Sequence, residues 1–408
     1  MKAGPDRSER PRLLVLASTY PRWPDDPEPG FVHELCRRLV DRFDVRVIAP
    51  HAPGARTDEV MDGVDVRRFR YAPTRLQTLV NDGGIGGNLK RSAWKWLLVP
   101  GFLLSSVIAT LWAVVRYRPA VVHAHWLVPQ GLMAALSRGL IPNAPRLAVT
   151  SHGADLFTLR GPAPTRLKRF VARRADWITV VSRSMLPAVL ALGAPKERTT
   201  VRSMGVDLAG RFVADDNVPR SRTELLFVGR LVEKKGLRHL IDAMPAILRA
   251  EPDAHLTVVG FGPEESERRD QAHRLGVQER VTFAGAMPQE RLPSFYARAA
   301  VLVAPFVRAA DGDQEGLGLV AIEALACGCP VILGDVGAVA DVQAAMPSMV
   351  DVIESEADAI ANAVLRRLRE GTHAASLDGL KQAFDWEYVA RDYGDGLARL
   401  AERGRGHD

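Results

Sequence analysis

The chain has 408 residues, of which 47% are hydrophobic and 25% are charged, and its formal net charge is +6. This length exceeds one ordinary hydrophobic core and predicts two domains, while the composition excludes a disordered or fibrous protein. The three cysteines are too few for a disulfide framework and favour a reducing, cytoplasmic location. The first twelve residues are charged and contain no apolar stretch, so no export signal is predicted.

Strands and helices alternate along the chain. In the first half a helix is predicted over 31–42, and buried strands at 13–18, 44–49, 121–124, 147–151 and 177–182. A polar linker is predicted at 207–223, and the strands that follow it are 224–229, 255–260, 281–284, 301–306 and 330–333. This alternation predicts parallel, doubly wound sheets, which bind ligands beyond the carboxyl ends of their strands.

Charge is distributed unevenly between the two halves. Residues 1–216 contain 32 Lys and Arg against 19 Asp and Glu, or +13, whereas residues 217–408 contain 22 against 29, or −7. The basic half predicts contact with something anionic, either nucleic acid or an anionic lipid surface. The aromatic-interleaved basic patches of RNA-binding proteins are missing, so lipid is favoured and no nucleic-acid partner is expected.

One segment, Trp96–Val115, carries no charge across twenty positions and is long enough to span a membrane. Pro100 and Gly101 interrupt it and a predicted strand follows almost at once, which argues against a span. Two alternatives remain open: a buried domain helix, or an interfacial helix whose apolar face enters a bilayer. The basic residues that would then suit anionic headgroups are Lys90, Arg91, Lys95, Arg116 and Arg118.

Two glutamates, Glu315 and Glu323, stand eight residues apart across a predicted strand–loop–helix junction. Gly316 and Gly318 let the loop backbone approach a ligand, and the N–H groups of a helix start suit a diphosphate. The Glu323 carboxylate can accept hydrogen bonds from a vicinal diol such as a ribose, and Glu315 can do the same for another sugar. This segment therefore predicts a site for both halves of a nucleotide-sugar.

A second junction, at residues 228–237, places Arg230 and Lys235 between a strand and a helix. An arginine can chelate two phosphate oxygens, and a lysine adds a compact positive charge. Two such cations can neutralise a leaving diphosphate without a metal ion.

Histidines follow two predicted strands of the first half. His152 precedes Gly153 after the strand at 147–151. His123 lies near the end of the strand at 121–124, and His125 directly follows that strand. Both positions lie at the sheet edge where ligands bind. Two histidines alone are insufficient for a metal site and no third ligand is indicated, so no metal is predicted.

The stretch from Glu315 to Ile332, EGLGLVAIEALACGCPVI, resembles the E-x7-E signature of retaining family-4 glycosyltransferases. The segments VGRLVEKKGL and His152-Gly153-Ala154-Asp155 resemble further motifs of that family, and the resemblance extends from Tyr20 to Trp386. It implies the GT-B fold, in which two Rossmann-like doubly wound parallel-sheet domains face a cleft. The expected domains are an acceptor-binding domain (1–215), a donor-binding domain (216–384) and a C-terminal helix returning to the first domain (385–408).

The resemblance also implies roles for individual residues. Those expected at the reacting centre are His152, Arg230, Lys235 and Glu315. His152 would contact the donor sugar near the reacting carbon, or support the developing charge through its backbone carbonyl. Expected donor contacts are Gly30, Gly229, Gly262, Met287, Gly316, Leu317, Gly318, Leu319 and Glu323. Expected acceptor contacts are His125, Trp126 and Asp155.

The implied activity is retaining transfer of a sugar from a nucleoside-diphosphate sugar to a hydroxyl acceptor, either lipid-linked or a cell-envelope glycan. No cofactor or metal is expected, and the location would be cytoplasmic, peripheral at the inner face of the cell membrane. Asp311 and Asp313 match the Asp-x-Asp metal motif of the GT-A fold, but their place beside Glu315 favours a sugar contact or a polar loop. The alternatives are a nucleotide-sugar epimerase or an inactive nucleotide-binding scaffold, and the donor sugar and base stay open.

Overall fold

The computed structural model describes residues 10–24, 26, 30–81, 84–215, 217–371 and 375–405. Residues 1–9, which belong to the segment examined for an export signal, lie outside these ranges, as do residues 25 and 27–29. Within them the chain divides into two compact units. The first comprises the chain up to Val181, Leu186–Arg202 and the chain from Val389 onward, and the second comprises Ser182–Met185 and Ser203–Tyr388.

An eight-stranded sheet forms the centre of the first unit. Its strands are β1 (Arg12–Leu16), β2 (Asp44–Pro50), β3 (Asp58–Met61), β4 (Val64–Phe69), β5 (Val121–His125), β6 (Arg146–Ser151), β7 (Trp177–Val180) and β8 (Thr199–Val201). Their order is β3-β4-β2-β1-β5-β6-β7-β8. Every neighbouring pair is parallel except β3 and β4.

The antiparallel β3–β4 edge was not predicted from the sequence. A two-residue turn, Asp62-Gly63, joins the two strands, and both of its residues have positive φ. Such a turn matches the twist of a hairpin, and an Asp-Gly pair is a typical sequence for it. The strands on either side have 4 and 6 residues, too short to stand out by periodicity.

Helices cover the sheet of the first unit. They are α1 (Phe31–Leu39), α2 (Gly84–Arg91), α3 (Leu98–Tyr117), α4 (Leu132–Leu140), α5 (Ala154–Phe157), α6 (Pro162–Arg174) and α7 (Leu186–Leu190). The central strands are buried on both faces, because β1 and β5–β7 present almost only buried side chains. A parallel sheet covered on both sides requires such continuous apolar strands.

The second unit has a fully parallel six-stranded sheet. Its strands are β9 (Glu224–Val228), β10 (His255–Val259), β11 (Val281–Gly285), β12 (Val301–Ala304), β13 (Val331–Gly334) and β14 (Val350–Ile353), in the order β11-β10-β9-β12-β13-β14. The later helices of the chain are α8 (Leu237–Ala250), α9 (Glu265–Arg274), α10 (Leu292–Arg298), α11 (Leu319–Ala326), α12 (Val339–Ala345), α13 (Ala357–Glu370), α14 (Asp378–Phe384) and α15 (Trp386–Arg405).

The boundary between the units lies at Arg202 and Ser203, earlier than the predicted boundary after residue 215. The segment that follows belongs to the second unit because its backbone bonds to the end of α14. The Val206 N–H donates to the carbonyl oxygen of Phe384 at 2.8 Å, and the Leu208 N–H donates to the carboxylate of Asp385 at 3.2 Å. A polar, irregular sequence does not reveal such long-range pairing.

The part of α15 beyond Val389 groups with the first unit. Asp395 forms an ion pair with Arg42 at 2.8 Å, and the Tyr393 hydroxyl donates to the carbonyl oxygen of Arg202 at 3.1 Å. The side chain of Tyr393 is fully buried.

One helical stretch in the described part of the chain, Ala93–Tyr117, is long and apolar enough to cross a membrane by length and composition. The inner face of α3 packs into the first unit, where Phe102 joins a small core with Tyr71 and Leu79. Only 33% of the apolar window is buried, so this helix packs into the first unit along one face and is not wholly buried.

Candidate active site

The strand order of the second unit reverses between β9 and β12, which are neighbours in the sheet. From β9 the chain proceeds through β10 and β11 in one direction, and from β12 through β13 and β14 in the other. Ligands of open parallel sheets bind outside the carboxyl ends of the strands at this point. The loops that leave these two ends carry Arg230 and Lys235 after β9, and Glu315 after β12.

Lys235 and Glu315 meet in an ion pair, with 2.7 Å between Nζ and Oε2. Each side chain is only 14% exposed. Burial by itself would raise the pKa of the Glu315 carboxyl, but the charges of Lys235 and Lys234 outweigh burial and hold this pKa at about 2. Glu315 is therefore ionised at neutral pH and can accept hydrogen bonds, but it cannot donate a proton.

Glycine allows the loop after β9 to lie against the end of β12. Gly236 has a φ of 74°, and a Cβ atom there would overlap the carbonyl oxygen of Pro305. A side chain at this position would therefore be both strained and obstructed. The centroid of the Phe306 ring lies 5.0 Å from Lys235 Nζ, a distance at which an aromatic ring attracts an ammonium.

The loop after β12 is organised around the Glu315 carboxylate. The N–H groups of Gly316 and Gly318 donate to Oε1 at 3.3 and 3.2 Å. Gly318 adopts a φ of 83° and directly precedes α11, which begins at Leu319. The first N–H groups of a helix have no partner within it and carry the positive end of its dipole. The chain thus presents a cation and a helix start side by side.

Glu323 lies further along α11 and is 5% exposed. One carboxylate oxygen accepts a hydrogen bond from the Tyr296 hydroxyl at 2.7 Å. Burial raises the pKa of this carboxyl, although Gln289 and Lys235 act in the opposite direction. Gln289 belongs to the loop after β11 and itself accepts a hydrogen bond from Arg211 at 2.6 Å. A buried carboxylate with polar neighbours therefore lies beyond the Lys235–Glu315 pair.

Other predicted donor contacts are loop residues of the same unit. Gly229 and the exposed Arg230 follow β9, Gly262 follows β10, and the half-buried Met287 follows β11. Leu317 is buried at the entrance to α11.

The carboxylates of Asp311 and Asp313 both interact with other groups of the protein. Lys234 Nζ lies 3.1 Å from the Asp313 carboxylate, and the Asp313 N–H donates to Asp311 Oδ1 at 2.8 Å. No group of three His, Cys, Asp or Glu side chains able to hold a metal ion occurs among the described residues.

The first unit has its own reversal of strand order, between β1 and β5. Here the ends of β5 and β6 bring three imidazole rings together. His125 and His152 are stacked, with ring centroids 5.2 Å apart and 2.9 Å between Nδ1 of His125 and Nε2 of His152. The His123 ring lies 4.4 Å from that of His125, and its Nε2 is 2.8 Å from the Thr150 hydroxyl.

All three histidines are neutral at physiological pH. Burial lowers the pKa of His123 and of His152 to about 3, and lowers that of His125 well below its ordinary value. His125 Nε2 has no hydrogen-bond partner among the described residues. Because the His125 side chain is fully buried whereas His152 is partly exposed, His152 is the member that can reach a ligand.

Asp155 ties together the loops that follow β5 and β6. Its Oδ2 accepts a hydrogen bond from the Leu127 N–H at 2.6 Å, and its Oδ1 accepts one from the Ser151 hydroxyl at 2.9 Å. Asp155 is 4% exposed, and burial raises the pKa of its carboxyl. Both carboxylate oxygens of Asp155 are thus bonded within the protein. The acceptor contact predicted for His125 and for Asp155 stays a prediction.

Trp126 remains accessible beside His152. Its ring centroid lies 5.0 Å from that of His152, and Phe31 packs against both rings, at 6.1 Å from Trp126 and 4.9 Å from His152. Gly30 immediately precedes Phe31 and α1 with a φ of −87°. A Cβ atom there would meet only Pro21 at 3.8 Å, so neither strain nor crowding accounts for this glycine.

Three aromatic side chains of these sites were missed by sequence reasoning. The first is Phe31, which contacts His152. The second is Tyr296, which contacts Glu323, and the third is Phe306, which contacts Lys235. Phe306 ends the predicted strand 301–306, and Phe31 begins the predicted helix 31–42. An aromatic side chain at such an end, next to a candidate site loop, could have been recognised from the sequence. Tyr296 lies 27 residues before its partner and gives none.

Two family models match the chain over nearly its whole described length. "Glycosyl transferase 4-like domain" matches residues 31–205, and "Glycosyl transferases group 1" matches residues 212–378. A GDP-mannose-dependent alpha-(1-6)-phosphatidylinositol monomannoside mannosyltransferase from Mycolicibacterium smegmatis is 33% identical over 67% of this chain and 73% of the relative. The chain belongs to the family-4 glycosyltransferases.

Further relatives agree with this assignment. A glycogen synthase from Mycobacterium tuberculosis is 29% identical over 93% of this chain and 92% of the relative. Sucrose-phosphate synthase from Thermosynechococcus elongatus superposes with a TM-score of 0.72 at 22% identity, covering 96% of this chain and 99% of that one. HepE of Anabaena with UDP-glucose superposes with a TM-score of 0.69 at 17% identity, covering 96% and 100%. These likenesses confirm the predicted GT-B fold, and the family confirms a glycosyltransferase.

Proposed function

We propose that this glycosyltransferase moves a sugar from a nucleoside-diphosphate sugar to a hydroxyl of a lipid-linked acceptor of the cell envelope, with retention of the anomeric configuration. The observation that carries the donor assignment is the Lys235–Glu315 pair at the start of α11, at the strand-order reversal of the second unit. Lys235, Arg230 and the first N–H groups of α11 would bind the diphosphate. Gly229, Gly262 and the loop Gly316–Leu319 would contribute backbone contacts.

The two glutamates would bind different parts of the donor, Glu315 the transferred sugar and Glu323 the ribose. Glu315 is ionised and would accept hydrogen bonds from the transferred sugar, because Lys235 and Lys234 hold its pKa at about 2. Glu323 would accept hydrogen bonds from the ribose, with Tyr296 fixing the carboxylate. Met287 and its neighbours after β11 would meet the base through backbone atoms.

His152 is the first-unit residue proposed to act at the reacting carbon. It is neutral, so it can contact a sugar hydroxyl or offer its backbone carbonyl to developing positive charge without repelling that charge. Gly30 would bring backbone close to the diphosphate, and Trp126 would contact the acceptor.

The proposed reaction follows a front-face course. The bond between the anomeric carbon and the phosphate oxygen breaks, and the acceptor oxygen forms its bond to that carbon on the same face. The acceptor proton passes to the leaving phosphate oxygen. Lys235, Arg230 and the α11 start stabilise the negative charge that develops on the diphosphate, which makes a metal ion unnecessary in this proposal.

The lipid-linked acceptor and a place at the inner face of the cell membrane are supported by two observations. The mycobacterial relative is named for transfer to a phosphatidylinositol mannoside. The first half of this chain carries a charge of +13, which suits an anionic membrane surface.

A thermal-shift screen against UDP, GDP and ADP, alone and as their common sugar conjugates, tests the donor assignment. A ligand at a hundred times its dissociation constant stabilises the folded protein by about 2.7 kcal/mol. Glu323→Gln should weaken binding of the preferred nucleotide while leaving inorganic pyrophosphate binding unchanged. Equal weakening of both would remove Glu323 from the ribose.

Proton NMR of the product distinguishes retention from inversion. Turnover of the donor without any acceptor would instead indicate an epimerase. Binding without turnover across an acceptor panel would indicate a nucleotide-binding scaffold.

A further inference from the structure

The outer face of α3 is an exposed apolar surface. Leu104, Ile108, Trp112 and Val115 are 63%, 56%, 58% and 58% exposed. At about 100° per residue these four positions fall within an arc of roughly 80° on one side of the helix. These positions are three or four residues apart, about one helical turn, so their side chains form a continuous stripe along most of the helix.

The opposite face of α3 holds the helix in the first unit. Its buried side chains include Phe102, and the hydroxyls of Ser106 and Thr110 point inward, with Thr110 donating to the carbonyl oxygen of Ser106 at 2.8 Å. At the end of the helix, the Tyr117 hydroxyl donates to the carbonyl oxygen of Asp44 at 2.7 Å. The inner face combines apolar side chains with two buried hydroxyls, while the outer face is apolar instead of polar, unlike that of an ordinary surface helix.

The turn before α3 continues the exposed apolar surface. Trp94, Trp96 and Leu97 are 46%, 60% and 81% exposed. Tryptophan is the side chain most typical of the boundary between a bilayer and water, because its ring is apolar and its N–H is polar. We call these seven residues the α3 surface: Trp94, Trp96, Leu97, Leu104, Ile108, Trp112 and Val115.

Basic side chains flank the α3 surface at both ends. Lys90 and Arg91 are exposed before it, and Arg116 and Arg118 are exposed after it. Between Gly84 and Arg118 the chain has five Lys and Arg and no Asp or Glu. Lys95, which the sequence also predicted for headgroups, is committed elsewhere, because its ammonium donates to the carbonyl oxygen of Thr78 and to Asn88 Oδ1.

We propose that the α3 surface docks the protein on an anionic lipid bilayer, with α3 lying in the plane of the headgroups. The apolar stripe would enter the boundary of the acyl chains, and the flanking cations would contact anionic headgroups. A membrane span is incompatible with the inner face, because crossing would strip Phe102, Thr110 and Tyr117 from the first unit. The inference concerns a surface of the first unit and does not depend on the donor site.

A second copy of the chain fits the α3 surface poorly. A two-fold dimer brings the same patch of both copies together. The basic ends would then bring like charges together in one interface, because the 84–118 segment contains five Lys and Arg and no Asp or Glu. An anionic bilayer supplies the opposite charge and an apolar phase together.

Co-sedimentation of the full chain with vesicles tests the proposal. The protein should sediment with vesicles of phosphatidylcholine and phosphatidylglycerol in equal parts, and much less with phosphatidylcholine alone. High salt should release it, because exposed charges are screened. Failure to sediment, or equal binding to both vesicles, would overturn the proposal.

Two variants separate the apolar and charged contributions. Ile108→Glu/Trp112→Glu should lower binding at least tenfold, whereas Val60→Glu, at a site on β3 that is 66% exposed, should not.

Lys90→Glu/Arg91→Glu should lower binding roughly 30-fold or more, since each cation near an anionic surface contributes about a fivefold preference. The matched control, Arg222→Glu/Arg249→Glu, changes two exposed cations of the second unit and should bind like the unmodified protein.

Two further readouts make each outcome decisive. All four variants should keep the thermal midpoint and the nucleotide-induced thermal shift of the unmodified protein, because the altered side chains are exposed and none belongs to the donor loops. Loss of the shift in the unmodified protein would count against the donor site and not against membrane docking. A lipid-free dimer that Ile108→Glu/Trp112→Glu dissociates would assign the α3 surface to a second copy and overturn the proposal.

Discussion

The two units carry polar side chains at the same position of a similar sheet, but those of the second unit are charged and those of the first are neutral. In each, polar side chains gather where the strand order reverses, between β9 and β12 or between β1 and β5. The second unit has a buried ion pair there, Lys235–Glu315, with the Glu315 pKa at about 2. The first unit has three histidines that burial keeps uncharged. The comparison shows that sheet topology selects the location of a site, while the loop sequences decide its charge.

This difference suits the division of labour proposed here. A diphosphate requires fixed positive charge, and a compact lysine beside a helix start provides it. A neutral imidazole can approach developing positive charge on a sugar without repelling it. The predictions below separate the charged site from the neutral one.

The largest effect is expected from Lys235→Met. Loss of a charge-assisted contact to a buried phosphate costs about 1.5–3 kcal/mol, so donor turnover should fall by roughly ten- to a hundredfold. The variant also leaves the Glu315 carboxylate buried without its partner, which should lower the free energy of unfolding by about 3 kcal/mol. Steady-state kinetics and urea denaturation measure the two effects.

The double variant Lys235→Met/Glu315→Gln separates stability from activity. Removing the carboxylate charge should restore much of the lost stability but none of the turnover. Recovery of turnover together with stability would mean that Lys235 acts only as a structural partner of Glu315.

The neutral histidines make a pH prediction for the first unit. Their folded-state pKa lies below the ordinary value of about 6.5, so the unfolded chain binds more protons as the pH falls below 6.5. Their contribution to stability is therefore complete above pH 6.5 and is lost progressively toward pH 3. Each such histidine steepens this loss by about 1.4 kcal/mol per pH unit.

His123→Asn should make the free energy of unfolding depend less steeply on pH, by the contribution of one histidine. Urea unfolding between pH 7 and pH 5 measures it, provided that the first unit unfolds in a single transition. The control variant His273→Asn, which changes an exposed side chain, should leave the slope unchanged. An unchanged slope in His123→Asn would mean that this ring is protonated in the folded protein.

A smaller effect is expected from His125→Phe, which keeps a ring of similar size and removes the hydrogen bond to His152. A neutral hydrogen bond contributes about 1 kcal/mol, so kcat should fall roughly fivefold. The KM for the donor should stay constant if His125 only orients His152. A rise in the KM for the acceptor, with kcat constant, would support the acceptor contact predicted from the sequence.

No effect is expected from chelation. Lys235, Arg230 and the α11 start supply the positive charge that a metal would otherwise provide, so turnover in EDTA should equal turnover without it. Loss of turnover in EDTA that manganese restores would assign a metal role to Asp311 and Asp313 instead.

Local sequence patterns were sufficient for the central strands and for the loops that carry Lys235 and Glu315, because apolar residues predominate in the predicted strands. They did not show that the two residues pair, since eighty positions separate them. The burial of His125 was missed for a similar reason, as it depends on the neighbouring strand β6. Local patterns also gave no face for α3, because residues 96–115 carry no charge that would mark an outer face. Only packing shows that Ser106 and Thr110 point inward.

The most direct test of the donor site is a crystal structure of the chain with its preferred nucleoside diphosphate. The account predicts the diphosphate within hydrogen-bonding distance of Lys235 Nζ and of the first N–H groups of α11, with the ribose hydroxyls on Glu323. A diphosphate bound elsewhere, with the Lys235–Glu315 pair untouched by any part of the ligand, would contradict it.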